Sequence, residues 1–280
     1  MTALEESYDY CRRVARTRAR NFYYAFRLLS SDQRKAMCAL YAFMRYCDDL
    51  SDEPGATRAG IEQWRAALDD ALQGRCTAHP SLPAFHDTVT RHNIPDRYFH
   101  EMIDGVASDL EPRRLETFEQ LYRYCYQVAS VVGLATIHVF GFDSPEALPL
   151  AEKCGVAFQL TNILRDIRED AEHGRIYLPA EDLARFRVSE PDIRAGIRTP
   201  EFIGLMDFEA GRARQYYKES RPLLDLVHRG SRASLGALIS IYSRLLDRIE
   251  RSNYDVFARR ISLPAAEKTW IAVRALWGAR

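Results

Sequence analysis

Two short stretches, Asp48-Asp49-Leu50-Ser51-Asp52 and Asn162-Ile163-Leu164-Arg165-Asp166-Ile167-Arg168-Glu169-Asp170, repeat carboxylates at helical spacing about a hundred residues apart. A helix presents the same face every three or four residues. Tyr41, Arg45, Asp48 and Asp52 step by 4, 3 and 4, and Gln159, Asn162, Asp166 and Asp170 by 3, 4 and 4, so each set points one way. Like charges at i and i+4 cost a helix roughly 0.2–0.5 kcal/mol, which a cation between them would remove. Ligand sets of carboxylate and amide oxygen suit hard ions, and Mg²⁺ completes its shell with water and substrate phosphate. The neighbouring runs, Tyr41-Ala42-Phe43-Met44 and Val156-Ala157-Phe158-Gln159-Leu160, are apolar enough to shield these acids from water, where an unpaired carboxylate is expensive. Two solvated acidic faces would account for one such stretch. The matched pair, with arginines interleaved, predicts two halves of one Mg²⁺-diphosphate site.

Two further segments could hold the rest of a lipid diphosphate. The helix expected over 117–139 carries Val128, Ala129, Val131, Val132, Gly133, Leu134 and Ala135, a small apolar surface that either packs closely against a neighbour or leaves room for a ligand. Near the N-terminus, Arg18 and Arg20 precede Asn21-Phe22-Tyr23-Tyr24-Ala25-Phe26. Guanidinium groups match phosphate oxygens in bidentate fashion and the aromatics could wall a hydrocarbon, although a solvated basic face above a packed aromatic core has the same composition.

The elements that must position these residues are helical almost throughout, with apolar residues recurring at three and four rather than two. The punctuation predicts helices over 4–28, 57–73, 81–91, 95–109, 117–139 and 145–171. Ser30-Ser31-Asp32 caps one running to Asp52, which Pro54-Gly55 ends. Thr199-Pro200 opens a long helix toward His228, another spans 232–256, and Pro264 opens the last. That last helix carries Trp270, Ile271, Val273, Leu276 and Trp277 beside Lys268 and Arg274. Closing the bundle is the favoured role for this stripe, and an interfacial face touching a membrane is the alternative. The expected architecture is one all-α bundle over 1–280, a single domain with a central cavity.

Composition narrows the function classes. Lys+Arg and Asp+Glu both total 39, so no global field favours nucleic acid. Six cysteines form no CxxC pair, and seven histidines show no HxxxH or ExxH spacing, which argues against zinc or di-iron chemistry. Buried thiols in a cytoplasmic setting, with at most peripheral membrane contact, are the simplest expectation. No strand-turn-helix glycine fingerprint suggests a dinucleotide, so NADPH is not expected.

The ordered motifs Tyr41-Ala42-Phe43-Met44-Arg45-Tyr46-Cys47-Asp48-Asp49-Leu50-Ser51-Asp52-Glu53, Tyr124-Cys125-Tyr126-Gln127-Val128-Ala129, Gln159-Leu160-Thr161-Asn162-Ile163-Leu164-Arg165-Asp166 and Arg175-Ile176-Tyr177-Leu178-Pro179 are similar to the squalene/phytoene synthase family. The chain looks most like the branch of bacterial hopanoid-pathway presqualene diphosphate synthases, with dehydrosqualene and phytoene synthases close behind. The resemblance implies an all-α isoprenoid-synthase bundle that joins two farnesyl diphosphates head to head with release of pyrophosphate. It further implies that Asp48, Asp52, Asn162, Asp166 and Asp170 hold two or three Mg²⁺ ions against the diphosphates. Tyr41, Arg45, Gln159, Arg165 and Tyr242 match positions lining the substrate, and Tyr124 matches a tyrosine implicated in the chemistry. Arg18-Ala19-Arg20-Asn21 falls where relatives hold a diphosphate, often with serine in these places. Enzymes acting later on the isoprenoid product are the expected partners.

On this reading, Arg45, Arg165 and Mg²⁺ neutralise the departing pyrophosphate. The allylic cation left behind is attacked at C1 by the second substrate's C2–C3 double bond, and proton loss closes the cyclopropane of presqualene diphosphate. Phe22, Phe26, Val128 and Val132 are assigned to wall the cation and exclude water. Phytoene, dehydrosqualene or squalene synthesis is the alternative within the family. Outside it stand a class I terpene cyclase and a non-catalytic helical assembly factor.

Overall fold

The computed structural model describes residues 2–19, 21–52, 55–111 and 114–278, with the side chains of Asp52 and Gly278 outside the description. Among these residues every regular element is helical, apart from one isolated antiparallel bridge between Phe142 and Val227. In the N-terminal half run α1 (Ala3–Arg18), α2 (Phe22–Phe26), α3 (Ser31–Asp52), α4 (Arg58–Leu72), α5 (Leu82–Arg91) and α6 (Arg97–Ala107). Next come α7 (Phe118–Cys125) and α8 (Val131–Phe140), joined by a π-helical turn at Tyr126–Ser130, and then α9 (Ala147–Glu172). The chain continues through α10 (Ala180–Phe186), α11 (Glu190–Arg194), α12 (Pro200–Ser220), α13 (Leu223–Leu226), α14 (Arg229–Arg251) and α15 (Ala265–Gly278).

Local chemistry explains most boundaries. Ser30 Oγ accepts from the Gln33 N–H at 3.3 Å and starts α3. Thr199 Oγ1 accepts from the Phe202 N–H at 3.1 Å, with Pro200 in the first turn of α12. Four expectations change. The helix expected over 4–28 breaks after Arg18 into α1 and α2. The helix expected to reach His228 stops at Ser220, because Pro222 has no N–H to continue the ladder. Residues 232–256 contract to α14, where Asn253 and Tyr254 take positive φ of 53° and 59°. The short α10 and α11 lie where the sequence suggested nothing, since five to seven residues are too few to show a period.

Two apolar cores meet in the middle of the bundle. One is built on an aromatic stack in which Phe43 lies on Phe85 with centroids 4.1 Å apart, flanked by Trp64 and Phe99. The other surrounds α9, α12 and α14. Phe22, Phe158 and Ile239 pack against both. α9 is the central rod: Val156, Ala157, Leu160, Ile163, Leu164 and Ile167 are buried around most of its circumference.

The small surface expected over 117–139 does pack closely. The π-helical turn is wedged between α6 and α9 at two glycines. A Cβ added at Gly155 would meet Ser130 Cα at 2.5 Å and Ala129 O at 2.9 Å, and one at Gly105 would meet Gln127 Cβ at 2.8 Å. A π turn carries an extra residue per loop of helix and so re-aims the side chains that follow. Here it brings Val128 and Ala129 to a cavity wall. Gly155→Ala forces α9 off this backbone, and overpacking of this kind costs roughly 1–3 kcal/mol. Urea denaturation should show a lowered midpoint, together with reduced turnover.

A buried ionic cluster outside the cavity fixes the segment before α12. Arg212 donates to Asp182 Oδ2 at 2.9 Å and Glu209 Oε1 at 2.8 Å, and its guanidinium lies 3.9 Å from the centroid of the Phe118 ring. Burial pushes Glu209 up to about 8 against the pull of Arg212, and its Oε2 has no partner. The folded protein therefore keeps a proton that the unfolded chain releases near pH 4.5, so this group's contribution falls as pH rises from about 4.5 to 8. Glu209→Gln should flatten that part of the stability profile, measured as urea midpoints at pH 5 and pH 8.

Candidate active site

α3 and α9 set their polar faces against each other across one continuous cavity. Its deep part, about 240 Å³, is apolar and is lined by residues including Phe22, Phe26, Met37, Leu40, Val132 and Leu238. A second, polar part contains Asp109, Tyr124, Arg165, Asp166, Glu169, Asp170, Arg175, Tyr177 and Arg260. Asp48, Val128, Gln159 and Asn162 border both parts. The helical steps predicted from sequence thus converge: Tyr41, Arg45 and Asp48 come from α3, and Gln159, Asn162, Asp166 and Asp170 from α9.

At the junction the walls are aromatic. Phe158 stacks on Tyr242 with centroids 4.3 Å apart and planes 8° from parallel. Phe22 stands 5.7 Å from Tyr242 and 6.4 Å from Tyr41. Burial pushes Tyr41 up to about 12 and raises Tyr242, so both present neutral hydroxyls. Such a wall offers ring faces to a cation without offering water.

The charges in the polar part are arranged in two ways. Arg165 donates through Nε to Asp166 Oδ1 at 2.7 Å and through its other arm to Oδ2, while Arg260 reaches the same two oxygens at 2.9 and 3.1 Å. Burial alone would lift Asp166, but these two guanidiniums outweigh it and hold the carboxyl below its usual range. Asp170 has no equal compensation. Burial, then the negative charge of Asp166, push it up to about 8 despite Arg175. Arg175 also donates to the Ser51 carbonyl at 3.2 Å, tying the segment after α9 to the end of α3.

On α3, Asp49 takes Arg45 and, at 3.0 Å, Arg18. The sequence reading set Asp49 and Glu169 beside the site. Asp49 holds the site's Arg45 by its guanidinium, whereas Glu169 is in the polar lining itself, 3.3 Å from Arg260. Arg18 is half-exposed and engaged by Asp49, and Asn21 accepts from Lys268 at 3.1 Å, so neither lines the cavity as described. Arg20 and the side chain of Asp52 lie outside the described residues.

Three groups missed as site residues form a tight unit. Tyr124 donates to Asp109 Oδ2 at 3.0 Å and Tyr177 to Oδ1 at 2.8 Å, with the two rings stacked 4.7 Å apart. Tyr124 had been expected in the chemistry, but the carboxylate that orients it had not. Asp109 sits alone in a 3₁₀ turn with no periodic partner, so nothing in its sequence context marks it. Tyr177 belongs to the Arg175–Pro179 motif and carried only that hint. Burial raises both hydroxyls well above the ordinary tyrosine range, and the Asp109 charge adds to it.

Among the described residues, no three acidic, histidine or cysteine groups already converge as a metal cage. The donor set is nonetheless the right kind for Mg²⁺. Its members are carboxylate and amide oxygens, Asn162 Oδ1 is buried without a partner, and Asp170 is held in a form that a cation would ionise. The carboxylates face one another across a gap, an arrangement suited to an ion shared with a bridging anion.

An all-α bundle with a polar, acid-and-arginine mouth on an apolar cavity defines an isoprenoid-synthase type of protein, and comparison with known proteins agrees. Residues 15–267 match the squalene/phytoene synthase family, and the chain belongs to it. It is 35% identical to the 15-cis-phytoene synthase of Synechococcus elongatus, covering 96% of this chain and 92% of that one. A dehydrosqualene synthase crystallised with a ligand superposes with a TM-score of 0.92 at 29% identity, covering 98% of this chain and 97% of the other. Squalene synthase HpnC from Alicyclobacillus acidocaldarius superposes with a TM-score of 0.83 at 30% identity, covering 90% and 95%. The protein is therefore a prenyltransferase of this family.

Asp109→Ala would leave two buried tyrosine hydroxyls unpaired, at a cost of about 1–3 kcal/mol each. Thermal denaturation should show the loss. Tyr177→Phe, which removes one hydroxyl and keeps the ring stack, should lower kcat more than it lowers the melting temperature.

Proposed function

We propose that the protein joins two prenyl diphosphates head to head in a Mg²⁺-dependent reaction, with geranylgeranyl diphosphate as its substrate and phytoene as its product. What carries the condensation is the continuity of the acidic, arginine-bearing mouth with an aromatic-walled apolar cavity. A diphosphate head and a hydrocarbon tail need those two environments in that order. The C20 choice leans on the sequence relatives, which are named phytoene synthases at 35% identity and above. The second reading is farnesyl diphosphate, giving presqualene diphosphate or dehydrosqualene. It is favoured by the structural match to a dehydrosqualene synthase and by that to squalene synthase HpnC, at similar coverage.

Asp48, Asn162, Asp166 and Asp170 would hold the metal, with Asp52 as the remaining member expected from sequence. Mg²⁺ bound there would supply positive charge to the departing pyrophosphate. Arg165 and Arg260 now neutralise Asp166; on binding they can turn to phosphate oxygens and leave the carboxylate for the ion. Arg45 can do the same from its contact with Asp49. Phe22, Phe158, Tyr41 and Tyr242 shield an allylic cation from water and present ring faces to it. Val128 and Val132 shape the wall along the hydrocarbon. Tyr124, held by Asp109 beside the junction, can orient the leaving group or receive the proton lost when the new ring closes. Its raised pKa favours the neutral hydroxyl, so the first of these roles is assigned to it.

Purified protein with Mg²⁺ and either geranylgeranyl or farnesyl diphosphate, with product mass analysis, tests both levels. Phytoene from the C20 substrate is expected. A C30 product alone would move the substrate to farnesyl diphosphate, and a single cyclised product from one substrate would sink the head-to-head reaction. Asp48→Asn and Asp166→Asn should each cut turnover by at least about a thousandfold while the circular dichroism spectrum persists.

A further inference from the structure

α15 closes the bundle with only one of its sides. Ile271 and Ala272 are buried, whereas Trp270 is 59% exposed, Val273 48%, Leu276 44% and Trp277 76%. The favoured role expected for this stripe is thus met by Ile271 alone. At 100° per residue, Trp270, Val273 and Trp277 fall within roughly 60° of one another on the helix. Only two other large apolar side chains are exposed among the described residues, Leu4 and Ile197, so the outer face of α15 is the concentrated apolar patch of this surface.

A groove runs beside that patch between α13, α14 and α15. Arg221, Arg229, Arg232 and Arg274 line it against one carboxylate, Asp225. The remaining charged pair in its lining, Arg244 and Glu267, satisfies itself at 2.9 Å. Five guanidiniums against two carboxylates leave an excess of three positive charges in the groove, within a chain whose totals are equal. Arg274 joins the two features, because its guanidinium lies 5.2 Å from the centroid of the Trp270 ring.

We propose that the outer face of α15 and this arginine groove dock the protein on an anionic lipid bilayer, with the tryptophans at the interface and the guanidiniums on lipid phosphates. Tryptophan is suited to the headgroup boundary, and basic residues beside it add attraction to acidic lipids. A second copy of the chain fits less well. A twofold pairing through the same stripe would set one positively charged groove near the other. The docking face also lies behind the lipid cavity. Leu224 and Gly236 form part of the groove, while their neighbours Leu223 and Leu235 line the cavity. Lys268 ties α15 to the start of α2 through Asn21 at 3.1 Å and lies 5.3 Å from the Tyr24 ring centroid. Docking would therefore set a wall of the cavity against the membrane surface. No helix among the described residues is long and apolar enough to cross a membrane, so the contact is peripheral.

The test uses full-length protein and sedimentation with vesicles of phosphatidylcholine alone or with about one-third phosphatidylglycerol, so it reads binding without turnover. Partitioning onto the mixed vesicles should exceed that onto the neutral ones by about tenfold or more, and should weaken in high salt. Trp270→Ser with Trp277→Ser should lose most binding to both. Arg221→Gln with Arg274→Gln should lose the preference for the anionic vesicles. Emission from Trp270 and Trp277 should shift to the blue and be quenched by brominated acyl chains, and the third tryptophan, Trp64, is buried at 4% exposure and stays constant. Turnover of detergent-dispersed substrate should be unchanged in both variants, which confirms their folding. The proposal is overturned if the wild type stays in the supernatant with both vesicles or if both variants bind as the wild type does. A dimer in sedimentation equilibrium that the tryptophan variant dissolves would overturn it in favour of a second copy.

Discussion

Gathering carboxylates into a part-buried pocket is unfavourable, and the way this chain tolerates it sets the rest of the structure. Each acidic face carries its own guanidiniums. Asp166 is held by Arg165 and Arg260, and Asp49 by Arg45 and Arg18. Asp170 is the exception, pushed up to about 8 because Arg175 does not offset burial and the nearby Asp166. The same arginines that make the resting pocket tolerable match phosphate oxygens, so an incoming diphosphate with its cations exchanges one set of ion pairs for another rather than entering an empty acidic site.

That exchange needs rigid walls, and the π-helical turn at Tyr126–Ser130 provides one. Its backbone fits against Gly105 on one side and Gly155 on the other, closer than any side chain would permit. Val128 then borders both the apolar and the polar parts of the cavity, while Tyr124, one turn earlier, faces Asp109 and Tyr177. A regular helix over the same residues would rotate one of these sets away from the cavity. Packing and chemistry therefore meet in a single local irregularity.

Much of the site was legible because it lies on two long helices. α3 and α9 keep a 3.6-residue period for 22 and 26 residues, so the steps Tyr41–Arg45–Asp48 and Gln159–Asn162–Asp166–Asp170 map directly onto faces. The surrounding aromatics, Phe22, Phe26 and Tyr242, were placed in the site from the family resemblance or from their neighbours and do line the cavity. Short or irregular elements were opaque for the opposite reason. Asp109 lies in a three-residue turn, Tyr177 in a coil before α10, and Arg260 in the loop before α15, where no period exists to point a side chain. Arg18 and Asn21 carried suitable chemistry but sit after the break between α1 and α2, and the fold spends them on Asp49 and Lys268.

The sequence by itself determined the helical class, the two acidic faces and the family, because those depend on local period and residue type. Only the tertiary structure decided which groups neutralise which. The pairings Arg260 with Asp166, Asp109 with two tyrosines, and Arg175 with the end of α3 span 94, 15, 68 and 124 residues of chain. It also decided that the tryptophan stripe of α15 faces outward. An amphipathic pattern fixes that a helix has two unlike faces, while which of them finds a partner depends on what the rest of the chain brings against it.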